Sequence, residues 1–143
     1  MYIKCSEEYD PTTAFSNNSD RRLAAASTTT SIELLEIYSF DPVFLVRYRV
    51  TQNKNTPGDV LQDILDGQLD DEERKLVQLQ VAKHPNALPE TLAELSTSDS
   101  WTVRWRVAEN PNTPTDVLLT LTNDPDLDVR TAATTSMYSR GAI

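Results

Sequence analysis

Asp99, Trp101, Arg104 and Trp105 are the residues of this chain whose types and spacing come nearest to chemistry. Two indoles, a carboxylate and a guanidinium in one short segment are the residue types that can hold a flat aromatic ligand by stacking and charge. The other candidates are single residues. His84 is the one histidine and Cys5 the one cysteine. His84 has no companion at metal-ligand or catalytic spacing, and no Ser/His/Asp or Cys/His set is present. With 3 glycines in 143 residues, a glycine-rich phosphate cradle has no raw material.

The segment around these tryptophans belongs to a repeat. Residues 103–116 read Val-Arg-Trp-Arg-Val-Ala-Glu-Asn-Pro-Asn-Thr-Pro-Thr-Asp, and residues 46–59 read Val-Arg-Tyr-Arg-Val-Thr-Gln-Asn-Lys-Asn-Thr-Pro-Gly-Asp. Anchored on the residue before the arginine, copies start near Ser19, Val46, Val77, Val103 and Val129, in steps of 27, 31, 26 and 26 residues. The long step holds an acidic insertion running from Asp66 through Asp70, Asp71, Glu72 and Glu73. The first and last copies are degenerate, as end copies that must close a stacked core tend to be.

Each copy reads as two short helices. The first is expected to start at Thr-Pro, with Thr56 or Thr113 as cap, proline at the first helical position, and Asp59 or Asp116 three residues after the cap. In the first copy Thr30-Ser31-Ile32-Glu33 keeps this logic without proline. Its apolar residues follow helical spacing: Ile32, Leu34, Leu35 and Ile37; Val60, Leu61, Ile64 and Leu65; Leu92 and Leu95; Val117, Leu118 and Leu121. The second helix contains Val-Arg. It is expected to start at Asp41-Pro42 and Asp124-Pro125 and to end at Asn53 and Asn110, a residue type that tolerates a left-handed cap.

Helical geometry then sorts the second helix. Positions 1, 2, 5 and 6 of each copy span an arc of about 140°. Positions 1 and 5 are Val46 and Val50, Val77 and Val81, Val103 and Val107, and position 6 is Ala24, Ala82 or Ala108, so this arc faces a core. Position 2 lies inside it yet is Arg47, Arg104 or Arg130, and an arginine there needs a partner. Asp41 and Asp124 stand six residues before Arg47 and Arg130, and Asp99 five before Arg104, so an Asp–Arg ladder through the helix starts is expected. Trp101, Phe44 and Leu127 share one slot and are expected between repeats. Positions 3 and 4 point away: Tyr48, Leu79 and Trp105 form an apolar stripe beside Arg22, Arg49 and Arg106.

The pattern Val-Arg-x-x-Val-Ala-x-Asn-Pro-Asn-Thr-Pro, followed by Val-Leu-x-x-Leu and Asp-Pro-Asp-x-Asp-Val-Arg, resembles the leucine-rich repeat variant family, within the HEAT- and armadillo-like superhelices. The resemblance is sharp over residues 77–134, recognisable over 41–66 and faint over 19–40. It implies an all-α, right-handed α-solenoid of about five helix pairs occupying residues 19–143, with residues 1–18 as an N-terminal cap or flexible segment. The family's founding type carries an iron–sulfur module on clustered cysteines. Cys5 alone supplies no such ligand set, so no cofactor is expected.

A repeat array builds a surface rather than a reaction. The leading expectation is a non-enzymatic module that binds a protein or peptide on its concave face through Tyr48, Arg49, Leu79, Trp105 and Arg106. A second reading is an acidic inhibitor or nucleic-acid mimic, using Asp66, Asp70, Asp71, Glu72 and Glu73. A third, by analogy with HEAT-like DNA glycosylases, would hold a base among Trp101, Trp105, Arg104 and Asp99. The formal net charge of −9, from 22 acidic and 13 basic residues, opposes direct nucleic-acid binding. No apolar run is long enough to span a membrane, the N-terminus lacks a signal-peptide pattern, and a lone cysteine makes no internal disulfide. A cytoplasmic protein is the expectation.

Overall fold

A computed structural model describes residues 18–143, and these residues form nine α-helices and no strand. In chain order they are α1 (Ser19–Thr28), α2 (Ile32–Tyr38), α3 (Phe44–Gln52), α4 (Gly58–Asp66), α5 (Asp71–Ala82), α6 (Pro89–Leu95), α7 (Trp101–Glu109), α8 (Thr115–Leu121) and α9 (Leu127–Ser139). The fold is all-helical, as the repeat pattern implied. The N-terminal segment assigned to residues 1–18, Cys5 included, lies almost entirely outside the described residues.

The chain divides into two compact units, one ending at Val77 and one running from Gln78 to Ile143. Within the first unit, α3 packs on α1, and α2 and α4 are its chain neighbours. Within the second, α9 packs on α7 and α8, and α6 adjoins α7. In each unit the second helix of one copy lies on the second helix of the next, the neighbour-to-neighbour packing expected of an α-solenoid.

The valine positions drive this packing. Val46, Val50, Val77, Val81, Val103 and Val107 are all buried, with Ala82 and Ala108 behind them. Leu34, Leu35, Val60, Leu61, Ile64, Leu92, Leu95, Leu118 and Leu121 supply the other side. Burying one such side chain contributes roughly 1.5–3 kcal/mol, so these short helices, marginal alone, are held by their neighbours. Ile32 and Ile37 depart from expectation and are exposed. In so short a helix the buried arc is taken by Leu34, Leu35 and Tyr38.

The loops run differently from the sequence reading. Thr56 and Thr113 do not cap the helix that follows: each hydroxyl donates back to a carbonyl of the preceding helix, Val50 O and Val107 O, both at 2.6 Å. The caps are Pro57 and Pro114, one residue later. Ser31, rather than Thr30, caps α2 by accepting from Leu34 N. The second helices start at Phe44 and Leu127, past the Asp-Pro pairs.

Asn53 and Asn110 end their helices in an extended conformation, not a left-handed one. Each is a tie between repeats. Asn53 Nδ2 donates to Ala26 O and Thr29 O, and Asn110 Nδ2 donates to Ala82 O and His84 O. Their Oδ1 atoms accept from Asn55 N and Asn112 N. His84 copies the second half of this role, its Nδ1 accepting from Asn86 N at 3.0 Å. That explains a buried histidine at an asparagine position.

The tie at Ala26 also corrects the first copy. Ala26, equivalent to Ala82 and Ala108, is fully buried, whereas Ala24 is exposed. The first copy therefore starts at Arg21, two residues later than Ser19, and Arg22 takes the ladder position. Without prolines or a position-1 valine to anchor this copy, spacing alone points to Ser19 and puts Ala24 in the core.

Candidate functional site

The ladder exists, with other partners than expected. Arg22 Nε meets Asp41 Oδ2 at 2.7 Å, and Arg104 Nε meets Asp124 Oδ2 at 2.8 Å. The second contacts are Nη2 to Oδ1 at 3.3 and 3.2 Å. Each aspartate thus serves the arginine of the preceding copy, not Arg47 or Arg130 in its own helix. Those arginines reach back along the helix to the loop carbonyls, Arg47 to Asp41 O at 2.6 Å and Arg130 to Asp124 O at 2.8 Å. Arg104 does the same to Ser98 O at 2.7 Å. The carboxylates are already turned by their own loops: Asp41 Oδ1 accepts from Val43 N and Asp124 Oδ1 from Asp126 N. That leaves Oδ2 facing the neighbouring copy. Asp99 is exposed and joins no rung.

One rung is neutral. Gln78 replaces the arginine, and its amide lies 3.3 Å from the Ser98 hydroxyl, which replaces the aspartate. Arg47 finds a backbone carbonyl instead, Gln68 O at 3.1 Å. The Gln78 rung lacks both charges together, whereas Arg47 keeps its charge and meets the carbonyl oxygens of Asp41 and Gln68 in place of a carboxylate. Arg104 is held above its ordinary range by the Asp124 hydrogen bond, and Arg22 likewise by Asp41. Burial pushes the Asp124 carboxyl up. The hydrogen bonds from Arg104 and Asp126 N, with the charges of Arg104 and Arg130, outweigh it, and the net shift is downward. These residues are structural.

Two aromatic pairs stand beside the ladder, and Arg47 lies over the ring of Phe44 at 5.6 Å. On α3, Phe44 and Tyr48 pair with ring centroids 5.7 Å apart. On α7, Trp101 and Trp105 pair at 6.4 Å and 44°. Both are i, i+4 pairs, neighbours on one helix face. Each is followed by an arginine tied three residues on: Arg49 Nη1 to Gln52 Oε1 at 3.2 Å, and Arg106 Nη1 to Glu109 Oε1 at 3.3 Å. Arg106 also lies over the Trp105 ring at 4.5 Å. The expectation that Trp101 fills an inter-repeat core is overturned: it is 44% exposed, and Leu127 in the same slot is 65% exposed. Neighbouring second helices pack through positions 1, 5 and 6, and the slot two residues earlier falls outside that contact.

The tryptophans line an open groove of about 620 Å³ together with Glu109, Asp128, Thr131, Ala132, Thr135 and Ser136. It lies between α7 and α9. Trp105 is half-buried on one wall, and Thr131 and Ala132 stand at positions 3 and 4 of the next copy on the other. Small residues there leave the indoles uncovered. The sequence pattern puts Trp105 on the binding face but Trp101 in a core slot, and it does not single out Glu109, Asp128 or the threonines. The signal was present: Trp101 and Trp105 are four apart, and one repeat step places Thr131 opposite Trp105.

The other expected site residues are dispersed. Tyr48 and Arg49 belong to the first unit; Leu79 is half-buried in the second and does not line the groove. Asp99 and Arg104 are also absent from its walls, so this groove does not gather the four residues of the base-binding reading. In the acidic insertion, Glu73 N donates to Asp70 Oδ1 at 2.8 Å and Asp70 N to Glu73 Oε2 at 3.1 Å. That reciprocal pair is a capping box for α5, and Asp71 and Glu72 complete an acidic first turn that suits the helix dipole. Among the described residues no group of three or more His, Cys, Asp or Glu could hold a metal ion, and no helix is long and apolar enough to cross a membrane.

Residues 101–126 match the family model of the leucine rich repeat variant. They fall inside the stretch where the repeat reads most sharply, so the resemblance is supported there. The chain is also similar to a solved structure described as a leucine-rich repeat variant with a novel repetitive protein structural motif, at 25% identity and a TM-score of 0.41. The likeness covers 85% of this chain but 57% of that one, so this chain spans little more than half of its length. No curated protein matches the chain.

Proposed function

We propose that this helical-repeat protein is a non-enzymatic interaction module, and that a protein or peptide partner docks on the outward face of the second helices, centred on Trp101 and Trp105. One observation carries the reading: two adjacent indoles, one of them 44% exposed, line an open groove. The repeat accounts for the valines, the asparagines, His84 and the rung arginines as structure. It does not account for the tryptophans. A large aromatic pair left uncovered beside polar neighbours is the usual material of a binding hot spot.

The test is selection from a display library of short random peptides, repeated on Trp101→Ala and Trp105→Ala. Peptides that bind the parent protein and fail to bind either variant are expected. Selection of nothing that depends on either indole would remove it.

A further inference from the structure

Resting on that reading, we infer that the α7–α9 groove takes a lysine or arginine side chain from a basic segment of its partner. Three observations converge. The first is the disposition of charge inside the groove. Its titratable lining residues are both carboxylates, Glu109 and Asp128. Glu109 is shared with Arg106, whereas Asp128 is exposed and has no ion-pair partner among the described residues. The second is where the nearby cations go. Arg104 is committed to Asp124 and Ser98 O, and Arg130 to Asp124 O and Pro125 O, all on the ladder side. Arg106 is committed to the Trp105 face and Glu109. None neutralises Asp128.

The third observation is that the chain already shows what this surface accepts. The Arg106 guanidinium lies 4.5 Å from the Trp105 ring centre, with a carboxylate at its far end. Trp101 offers a second, more exposed indole, and Asp128 a second carboxylate on the facing helix. A cation on an aromatic face beside a carboxylate gains from both attractions. A formal net charge of −9 would draw such a segment in from a distance.

The experiment uses the full chain and three probes: a short arginine-containing peptide, the same peptide with citrulline in its place, and maltose. Citrulline keeps the shape and removes the charge, and maltose tests the alternative that the indoles stack on a sugar. The readouts are tryptophan fluorescence and the indole N–H resonances. The arginine peptide is expected to saturate the signal and to weaken as salt rises. Citrulline is expected to bind roughly tenfold or more weakly. Trp101→Ala and Asp128→Asn should each weaken the arginine peptide by roughly three- to thirtyfold, with melting temperatures near that of the parent. Equal binding of the citrulline and arginine peptides overturns the inference, as does an arginine response indifferent to both variants, saturation by maltose alone, or no saturation. Display-selected peptides that need both tryptophans but carry no lysine or arginine would end this inference and leave the docking reading standing.

Discussion

Arg104 and Asp124 stand 20 residues apart in the chain and meet through two hydrogen bonds, Nε to Oδ2 at 2.8 Å and Nη2 to Oδ1 at 3.2 Å. The contact joins one copy of the repeat to the next, and Nη1 of the same guanidinium ties down the loop at Ser98 O. Arg104→Ala is therefore expected to destabilise the chain by about 1–3 kcal/mol, because it leaves a largely buried carboxylate and a loop carbonyl without their donor. Denaturant unfolding measures this. A double-mutant cycle with Asp124→Ala should show a coupling of about 0.5–3 kcal/mol, and additive losses would mean the rung is not an energetic pair.

Asp124 also sets an acid limit. Its folded pKa is lowered relative to the unfolded chain, so its stabilising contribution is complete above the ordinary carboxylate range of about 4 and is lost as pH falls through the folded value. Stability measured downward from about pH 5 should decline, and Asp124→Asn should flatten part of that decline. An identical acid slope in the variant would count against the rung's protonation as a cause.

The last loop makes its ties in another way. Where Ala82 O, His84 O, Pro85 O and Ala87 O receive Asn110 and Asn112, the matching carbonyls of Ala108, Asn110, Pro111 and Thr113 receive Ser136 and Arg140. Arg140 itself follows α9, where Gly141 at φ 70 closes the helix in a left-handed cap. Asn110→Ala is expected to cost about 1–3 kcal/mol, since it orphans two carbonyls in a buried tie. Arg140→Ala should cost less, being exposed, and should raise hydrogen exchange in the 110–114 loop first. A uniform rise across the second unit would contradict a local role.

How much of this could be read in advance divides by the kind of interaction. The valine and leucine positions follow from helical period alone, because burial is a property of a residue's angle on its own helix. The loops were read wrongly because Thr56, Thr113, Asn53 and Asn110 satisfy groups behind them in the chain or in the preceding copy. Local capping rules do not look backward. The rungs failed for the same reason: Asp41 and Asp124 stand near Arg47 and Arg130 in sequence, but their free oxygens face the copy before. Trp101 was assigned to a core by its slot, yet slot equivalence fixes an angle and not whether a neighbour covers it. The groove depends on Thr131 and Ala132 being small, a fact about the facing helix.

The acidic insertion is expected to matter for folding before it matters for recognition. Asp70→Ala removes one half of the capping box and should cost about 0.5–2 kcal/mol. Replacing Asp71 and Glu72 with lysine should leave binding at the tryptophan groove, measured at raised salt, unchanged within about twofold, because neither side chain lines that groove. Loss of peptide binding in that variant, with its melting curve intact, would move the contact surface to the insertion.

If the Trp101–Trp105 face serves contact outside the chain, Trp105→Ala separates binding from stability in one paired measurement: a melting curve and a titration with a display-selected peptide on the same sample. Trp105→Ala is expected to lose roughly 2 kcal/mol or more in affinity. The loss of stability should be smaller, because one wall of this half-buried indole is open groove. A variant that binds the peptide as tightly as the parent but melts far lower would contradict it, and would make Trp105 a packing residue.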